Sequence, residues 1–140
     1  MQIDLVIRPC RDADEAAIIE LWHKCALVVP WNDPKDDVAR KIRVQPELFL
    51  VGLLDGRVVA TVMAGYEGRR GWINYLAVSP EFQRKGLGRR MMDAAEQKLR
   101  QLECPKINLQ VRTSNKEVIA FYERMGFSRD DVVSLGKRLA

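Results

Sequence analysis

The stretch Tyr75-Leu76-Ala77-Val78-Ser79-Pro80-Glu81-Phe82-Gln83-Arg84-Lys85-Gly86-Leu87-Gly88-Arg89 constrains this chain more than any other. It reads as a strand running into a glycine-containing loop and then a helix start, so the fold must set a strand end beside a helix N-terminus. Glycines let the main chain curl until successive N–H groups converge, and the following helix adds the positive end of its dipole. Such a loop suits an anion, and Arg84, Lys85 and Arg89 add full charges beside the partial ones. A basic surface turn before an ordinary helix has the same local pattern, so the choice rests on the rest of the chain.

With 140 residues, 47% hydrophobic and 30% charged, the chain is expected to form one globular domain over 1–140 with a real core. Its longest apolar run, Leu48 to Leu54, is strand-sized, and no charged segment leads into an apolar stretch at the N-terminus. The expectation is a soluble cytoplasmic protein with no membrane partner. Cys10, Cys25 and Cys104 are odd in number, widely spaced and without histidine company, which argues against a disulfide framework and against a metal site. The formal charge of +4, from 23 Lys and Arg against 19 Asp and Glu, favours a polyanionic ligand. The basic residues are scattered, with no basic helix or aromatic-interleaved basic strand, so nucleic acid is not expected.

Alternation over Gln2 to Arg8 predicts a half-buried strand, and Asp12 with Glu15 resembles a capping box ahead of a helix carrying Ile18, Leu21, Trp22 and Cys25. His23 beside that stripe has no evident partner and receives no role. Asp33 followed by Pro34 predicts a second helix through about Val44. Here two readings stand: Trp31 fills a gap under a loop while Asp33, Asp36 and Asp37 stabilise a helix end, or the aromatic and its carboxylates receive a cationic amine. Leu48 to Leu54, Asp55-Gly56 and Arg57 to Tyr66 form a hairpin, and Trp72 to Val78 is a third antiparallel strand. Leu87, Met91, Ala95, Leu99 and Leu102 mark a long amphipathic helix stopped by Cys104-Pro105. Lys106 to Arg112 is a strand parallel to the one before the helix. Ser114 to Glu117 is a capping box, Val118, Phe121, Tyr122 and Met125 follow at helical spacing, and Gly126 ends the helix. Phe127 to Leu139 is read as the last strand or strands, giving a mixed α/β fold.

This order of elements, with Gln83-Arg84-Lys85-Gly86-Leu87-Gly88 at its centre, resembles the GNAT superfamily of N-acetyltransferases over essentially the whole chain. The loop is similar to that family's Gln/Arg-x-x-Gly-x-Gly/Ala pattern. Asn115, Phe121-Tyr122 and Gly126-Phe127 resemble its second signature. Trp31-Asn32-Asp33-Pro34 and Ser134 to Leu139 further resemble a small bacterial subgroup. The resemblance implies a mixed, mostly antiparallel twisted sheet of six to seven strands flanked by about four helices. It implies acetyl-coenzyme A as donor, with its pyrophosphate on main-chain N–H groups of the Gln83, Arg84, Lys85, Gly86, Leu87, Gly88, Arg89 stretch. The pantetheine arm would run along the backbone of Leu76, Ala77 and Val78 where the fourth and fifth strands splay, and Asn115 would orient the cofactor.

Acetyl transfer to an amine needs a polarised thioester, a neutral nucleophile and a proton for the leaving thiolate. Tyr122 is the candidate acid, since a phenol near pKa ~10 stays protonated at neutral pH. Periodicity alone reads it as a core tyrosine, and the resemblance gives it the catalytic role. Glu67, Asp33 and a water chain all stay open for the base, which is left unassigned; Glu67 and Asp33 are also candidates for acceptor contacts, with an exposed turn acid as the plainer reading of Glu67. No side chain is placed as a covalent nucleophile, so direct transfer in a ternary complex with an amine is expected. The runner-up is a module that senses acyl-coenzyme A without turnover. A homodimer is kept open by analogy with folds of this kind.

Overall fold

A computed structural model of the chain describes residues 3–140. It comprises two compact units, one ending at Gln110 and one beginning at Val111.

In the first unit, β1 (Val6–Pro9), α1 (Glu15–Lys24), α2 (Pro34–Arg43), β2 (Phe49–Leu54), β3 (Arg57–Tyr66), β4 (Gly71–Val78), α3 (Leu87–Gln101) and β5 (Ile107–Leu109) follow in chain order. The strands lie in the order β1-β2-β3-β4-β5, antiparallel as far as β4 and parallel between β4 and β5. Asp55 (φ 48°) and Gly56 (φ 76°) are both left-handed, as a two-residue turn must be to match the twist of β2 and β3. The α3 crossover is what allows β4 and β5 to run parallel.

Side-chain alternation on β2 sends Phe49, Val51 and Leu53 to one face, where they pack with Ala77 and with Ile18, Leu21, Trp22 and Val38 of α1 and α2. Leu50 and Gly52 take the other face, under α3. A Cβ at Gly52 would come within 2.9 Å of Met91 Sδ, so a larger residue there would force the Met91 side chain of α3 to shift. Leu87, Met91, Met92, Ala95 and Leu99 of α3 are all buried. Each large side chain among them contributes roughly 1.5–3 kcal/mol.

Local chemistry sets the helix ends. Asp33 accepts from Lys35 N at 2.9 Å with Pro34 at the first helical position, as its sequence predicts. The cap expected from Asp12 and Glu15 is instead made by Asp14, which accepts from Arg11 N at 2.8 Å and pairs in two-pronged fashion with Arg8 at 2.8 and 3.0 Å. A short 3-10 turn, Asp12–Asp14, displaces the box by one residue. Gln2, where the first strand is predicted to begin, lies outside the described residues, and the strand itself starts at Val6. The strand expected over Lys106 to Arg112 is shorter, Ile107–Leu109, and pairs only with Gly71 to Ile73.

The second unit holds α4 (Lys116–Arg124). Asn115 rather than Ser114 caps it, Oδ1 accepting from Val118 N at 3.3 Å. At the other end Gly126 (φ 95°) lets its amide reach Glu123 O at 3.0 Å and the Phe127 amide reach Tyr122 O at 3.1 Å. That double closure is a Schellman motif. The strand or strands predicted for Phe127 to Leu139 do not form, so the described residues hold five strands rather than six to seven. Ser128-Arg129-Asp130-Asp131 interrupts any alternation, and Val132, Val133, Leu135 and Leu139 are 76% to 93% exposed, so no alternate face is buried as a strand requires.

Candidate functional site

The site is built at the end of β4. Pro80–Phe82 makes a 3-10 turn, Gln83 Nε2 reaches back to Val78 O at 2.9 Å, and Gly86 (φ 81°) caps α3 in a left-handed conformation. The first helical bond runs from Arg90 N to Gly86 O at 3.2 Å, which leaves the amides of Leu87, Gly88 and Arg89 outside the ladder at the positive end of a 15-residue helix. No acidic residue stands in that first turn, and a Cβ at Gly86 would meet nothing within 4 Å. Arg84, Lys85 and Arg89 are exposed around it. Open backbone donors, space at the glycine and surrounding cations fit a phosphate-bearing ligand.

Pairing of β4 with β5 stops at Ile73 opposite Leu109, so β4 continues beyond Ile73 without that neighbour. On the other side, Ser79 N donates to Val59 O at 2.8 Å, and the antiparallel ladder places Ala77 opposite Thr61. Successive amides alternate sides, so Leu76 and Val78 turn away from β3, toward the side where β5 has ended, while Ala77 serves the sheet. The register also slips here: Met63 faces Asn74 and Thr61 faces Ala77, so Tyr75 and Leu76 together oppose Val62. That bulge carries Tyr75 at φ 52°. The Tyr75 ring stacks on Trp22 at 3.7 Å, and its hydroxyl donates to Asp37 Oδ2 at 2.5 Å. Burial first, then Asp37, holds the phenol well above the usual tyrosine range.

In the second unit, Asn115 is the α4 cap, exposed and bonded to Val118 N. Tyr122 is 8% exposed, its ring edge-on to Phe121 at 5.1 Å and to Phe127 at 5.5 Å. Burial pushes its hydroxyl up to about 12. The Schellman closure draws on the Tyr122 carbonyl, so helix end and ring packing together fix this residue.

Residues 16–127 match the family model described as acetyltransferase (GNAT) family. The chain belongs to the GNAT acetyltransferase family. As a GNAT protein it is an N-acetyltransferase. An acetyltransferase of Pectobacterium atrosepticum is 44% identical over 133 residues, covering 95% of this chain and 94% of that one. Among solved structures, Ard1 from Thermoplasma volcanium aligns with a TM-score of 0.77 at 26% identity, covering 90% of this chain and 84% of that one. The ribosomal-protein-S18-alanine N-acetyltransferase from Escherichia coli gives 0.76 at 25% identity, covering 90% and 79%.

For this GNAT chain the remaining candidates sort by what holds them. Asp33 is taken by the Lys35 amide, and Asp37 by Tyr75 and, at 2.5 Å, by Arg40. Glu67 folds onto its own turn, accepting from the Arg69 and Arg70 amides. Trp31, expected to fill a gap, is 57% exposed. Burial raises the thiols of Cys10, to about 11, and Cys25, which keeps both protonated and poor as nucleophiles. Tyr75, Trp22 and Thr61 are the site residues that sequence reasoning passed over. The signal was the loss of alternation after Asn74, where Tyr75-Leu76-Ala77-Val78 runs on as a continuous apolar stretch.

Proposed function

We propose that this chain uses acetyl-coenzyme A to acetylate a primary amine by direct transfer, with residues 1–140 acting as one catalytic domain. The observation that carries the reading is the acid-free, glycine-capped N-terminus of α3 directly after a bulged strand whose outward amides lack a β5 partner. The amides and cations from Gln83 to Arg89 would take the pyrophosphate, and Leu76 and Val78 the pantetheine arm. The cosubstrate supplies the acetyl group as a thioester whose thiol departs when the amine attacks. A backbone amide at the bulge would stabilise the carbonyl oxygen as it gains charge, which in other acyl transfers is worth about 2.7–4 kcal/mol per donor. Tyr122 would give its proton to the departing sulfur, and Asn115 would help to orient the cosubstrate. Solvent would take the proton lost by the amine. The three cysteines are free, which suits a reducing cytoplasm. Among the described residues, no helix is long and apolar enough to cross a membrane.

Asp33 and Glu67 are engaged by backbone donors, which weakens a purely acidic acceptor pocket and leaves Trp31 as the exposed aromatic of that region. The E. coli relative acts on an alanine of ribosomal protein S18, which makes a peptide with an N-terminal alanine the first acceptor to try. Release of free coenzyme A should be followed with acetyl-coenzyme A and a panel of that peptide, lysine, spermidine and kanamycin. Turnover with at least one amine is expected, and Tyr122→Phe should lower kcat about 10²-fold or more with KM little changed. A Tyr122→Phe enzyme as fast as the native one would remove Tyr122 from the acid role. A native protein that binds coenzyme A and acetylates none of the panel would favour acyl-coenzyme A sensing.

A further inference from the structure

The bulge on β4 is held by side chains from three other elements. Tyr75 sits in a conformation that a non-glycine residue adopts only when its surroundings enforce it. Its ring lies on the indole of Trp22, from α1, nearly parallel at 9°. Its hydroxyl donates to Asp37, from α2. Its carbonyl accepts from Thr61 Oγ1, from β3, at 2.8 Å, and that hydroxyl accepts in turn from Trp22 Nε1 at 3.0 Å. Trp22 and Thr61 are fully buried, so neither partner has water as an alternative.

These hydrogen bonds converge on Tyr75, and the residue after Tyr75 is Leu76. Were the bulge to relax into regular pairing, the residues beyond it would shift by one and the outward amides would turn to the opposite side. We propose that Trp22, Asp37 and Thr61 are positioning residues for acyl transfer, clamping Tyr75 so that the amides of Leu76 and Val78 stay aimed out of the sheet. Asp37 thereby serves the donor side of the reaction and does not bind the acceptor amine. The inference rests on the function proposed above, since only acyl transfer gives those amides a task.

The test begins without any ligand. Backbone hydrogen exchange in Asp37→Ala, Tyr75→Phe and Thr61→Val should show the sheet-facing Ala77 and Ser79 amides exchanging at least about tenfold faster, while amides in the middle of α3 keep native protection. Kinetics follow with whichever panel amine the native enzyme turns over fastest. Asp37→Ala and Tyr75→Phe should each lower kcat about ten- to a hundredfold with the KM for that amine within about twofold of native. Asp37→Asn, which keeps an acceptor oxygen for the Tyr75 hydroxyl, should recover most of the rate. The double variant Asp37→Ala/Tyr75→Phe should be no slower than the slower single one, because both remove the same hydrogen bond. Additive losses, native exchange at Ala77 and Ser79 in all three variants, or a raised amine KM in Asp37→Asn would overturn the clamp. The last result would instead make Asp37 an acceptor ligand. Should Thr61→Val fail to fold, Tyr75→Phe keeps the stack and leaves the test intact. Normal turnover and coenzyme A binding in the variants would sink this inference while leaving the proposed function standing, whereas a native protein that fails both fails the function itself.

Discussion

Asp14 shows how one carboxylate can hold a chain entry in place. It accepts both arms of Arg8 and the Arg11 amide, and the hydrogen bond from Arg8, ahead of the opposing effect of burial, keeps its carboxyl below the usual aspartate range. A depressed carboxylate contributes stability that is present above the unfolded value near pH ~4 and is lost as pH falls through the folded one. Asp14→Asn should therefore destabilise the protein by about 1–3 kcal/mol at pH 7 in urea unfolding. The gap between variant and native should shrink below about pH 4, and an equal gap at pH 3 and pH 7 would mean that packing, not charge, is at stake. Tyr122 works in the opposite direction, since burial raises its hydroxyl to about 12 and keeps it protonated until the solution is strongly alkaline. The ratio of kcat between native enzyme and Tyr122→Phe should therefore stay constant from pH 7 to about pH 10. A ratio that collapses below pH 10 would place the acid elsewhere.

At the scale of elements, the α3 N-terminus separates binding from folding. Aspartate is ordinarily a good helix cap and tolerates left-handed backbone better than most residues, and a side chain at Gly86 would meet open space. At φ 81° Gly86→Asp carries left-handed backbone strain of about 1–2 kcal/mol, so a modest fall in melting temperature is expected, and it puts a negative charge where phosphates would approach. Calorimetry should find coenzyme A bound at least about tenfold more weakly, or ~1.4 kcal/mol; native affinity would remove the loop from the cofactor site. Elements governed by local chemistry were legible in the sequence: the Asp55-Gly56 turn, the Asp33-Pro34 start of α2, and α3 with its glycine cap. The β4 bulge was not, because it depends on Trp22 and Asp37, which lie 53 and 38 residues before Tyr75 in the chain. The end of the chain misled for the converse reason. Val132, Val133, Leu135 and Leu139 have strand-forming character, but β structure requires a partner surface that sequence character alone does not supply.

For the whole molecule, charge is the property that the loop shares with the rest of the chain. The net charge is +4, and Arg84, Lys85 and Arg89 are exposed about the one helix start that also offers unladdered amides in the first unit's candidate site. Coenzyme A carries several negative charges, so its encounter with such a surface should be steered over distances comparable with the Debye length, about 10 Å at 0.1 M salt and 3 Å at 1 M. Raising ionic strength from about 0.05 to 0.5 M should increase the KM for acetyl-coenzyme A several-fold while kcat changes little, because screening acts on approach rather than on the buried Tyr122. Charge spread over the whole surface and charge held at the loop make different predictions for one variant. Replacing Arg84 and Lys85 by Gln lowers the net charge only from +4 to +2, counting the two cations removed, so a diffuse field would keep about half of the salt dependence. A field focused at the α3 entrance would lose most of it, and the double variant's KM at low salt should approach the native value at high salt. A salt profile in the double variant as steep as the native one would show that the phosphates dock away from Gln83 to Arg89.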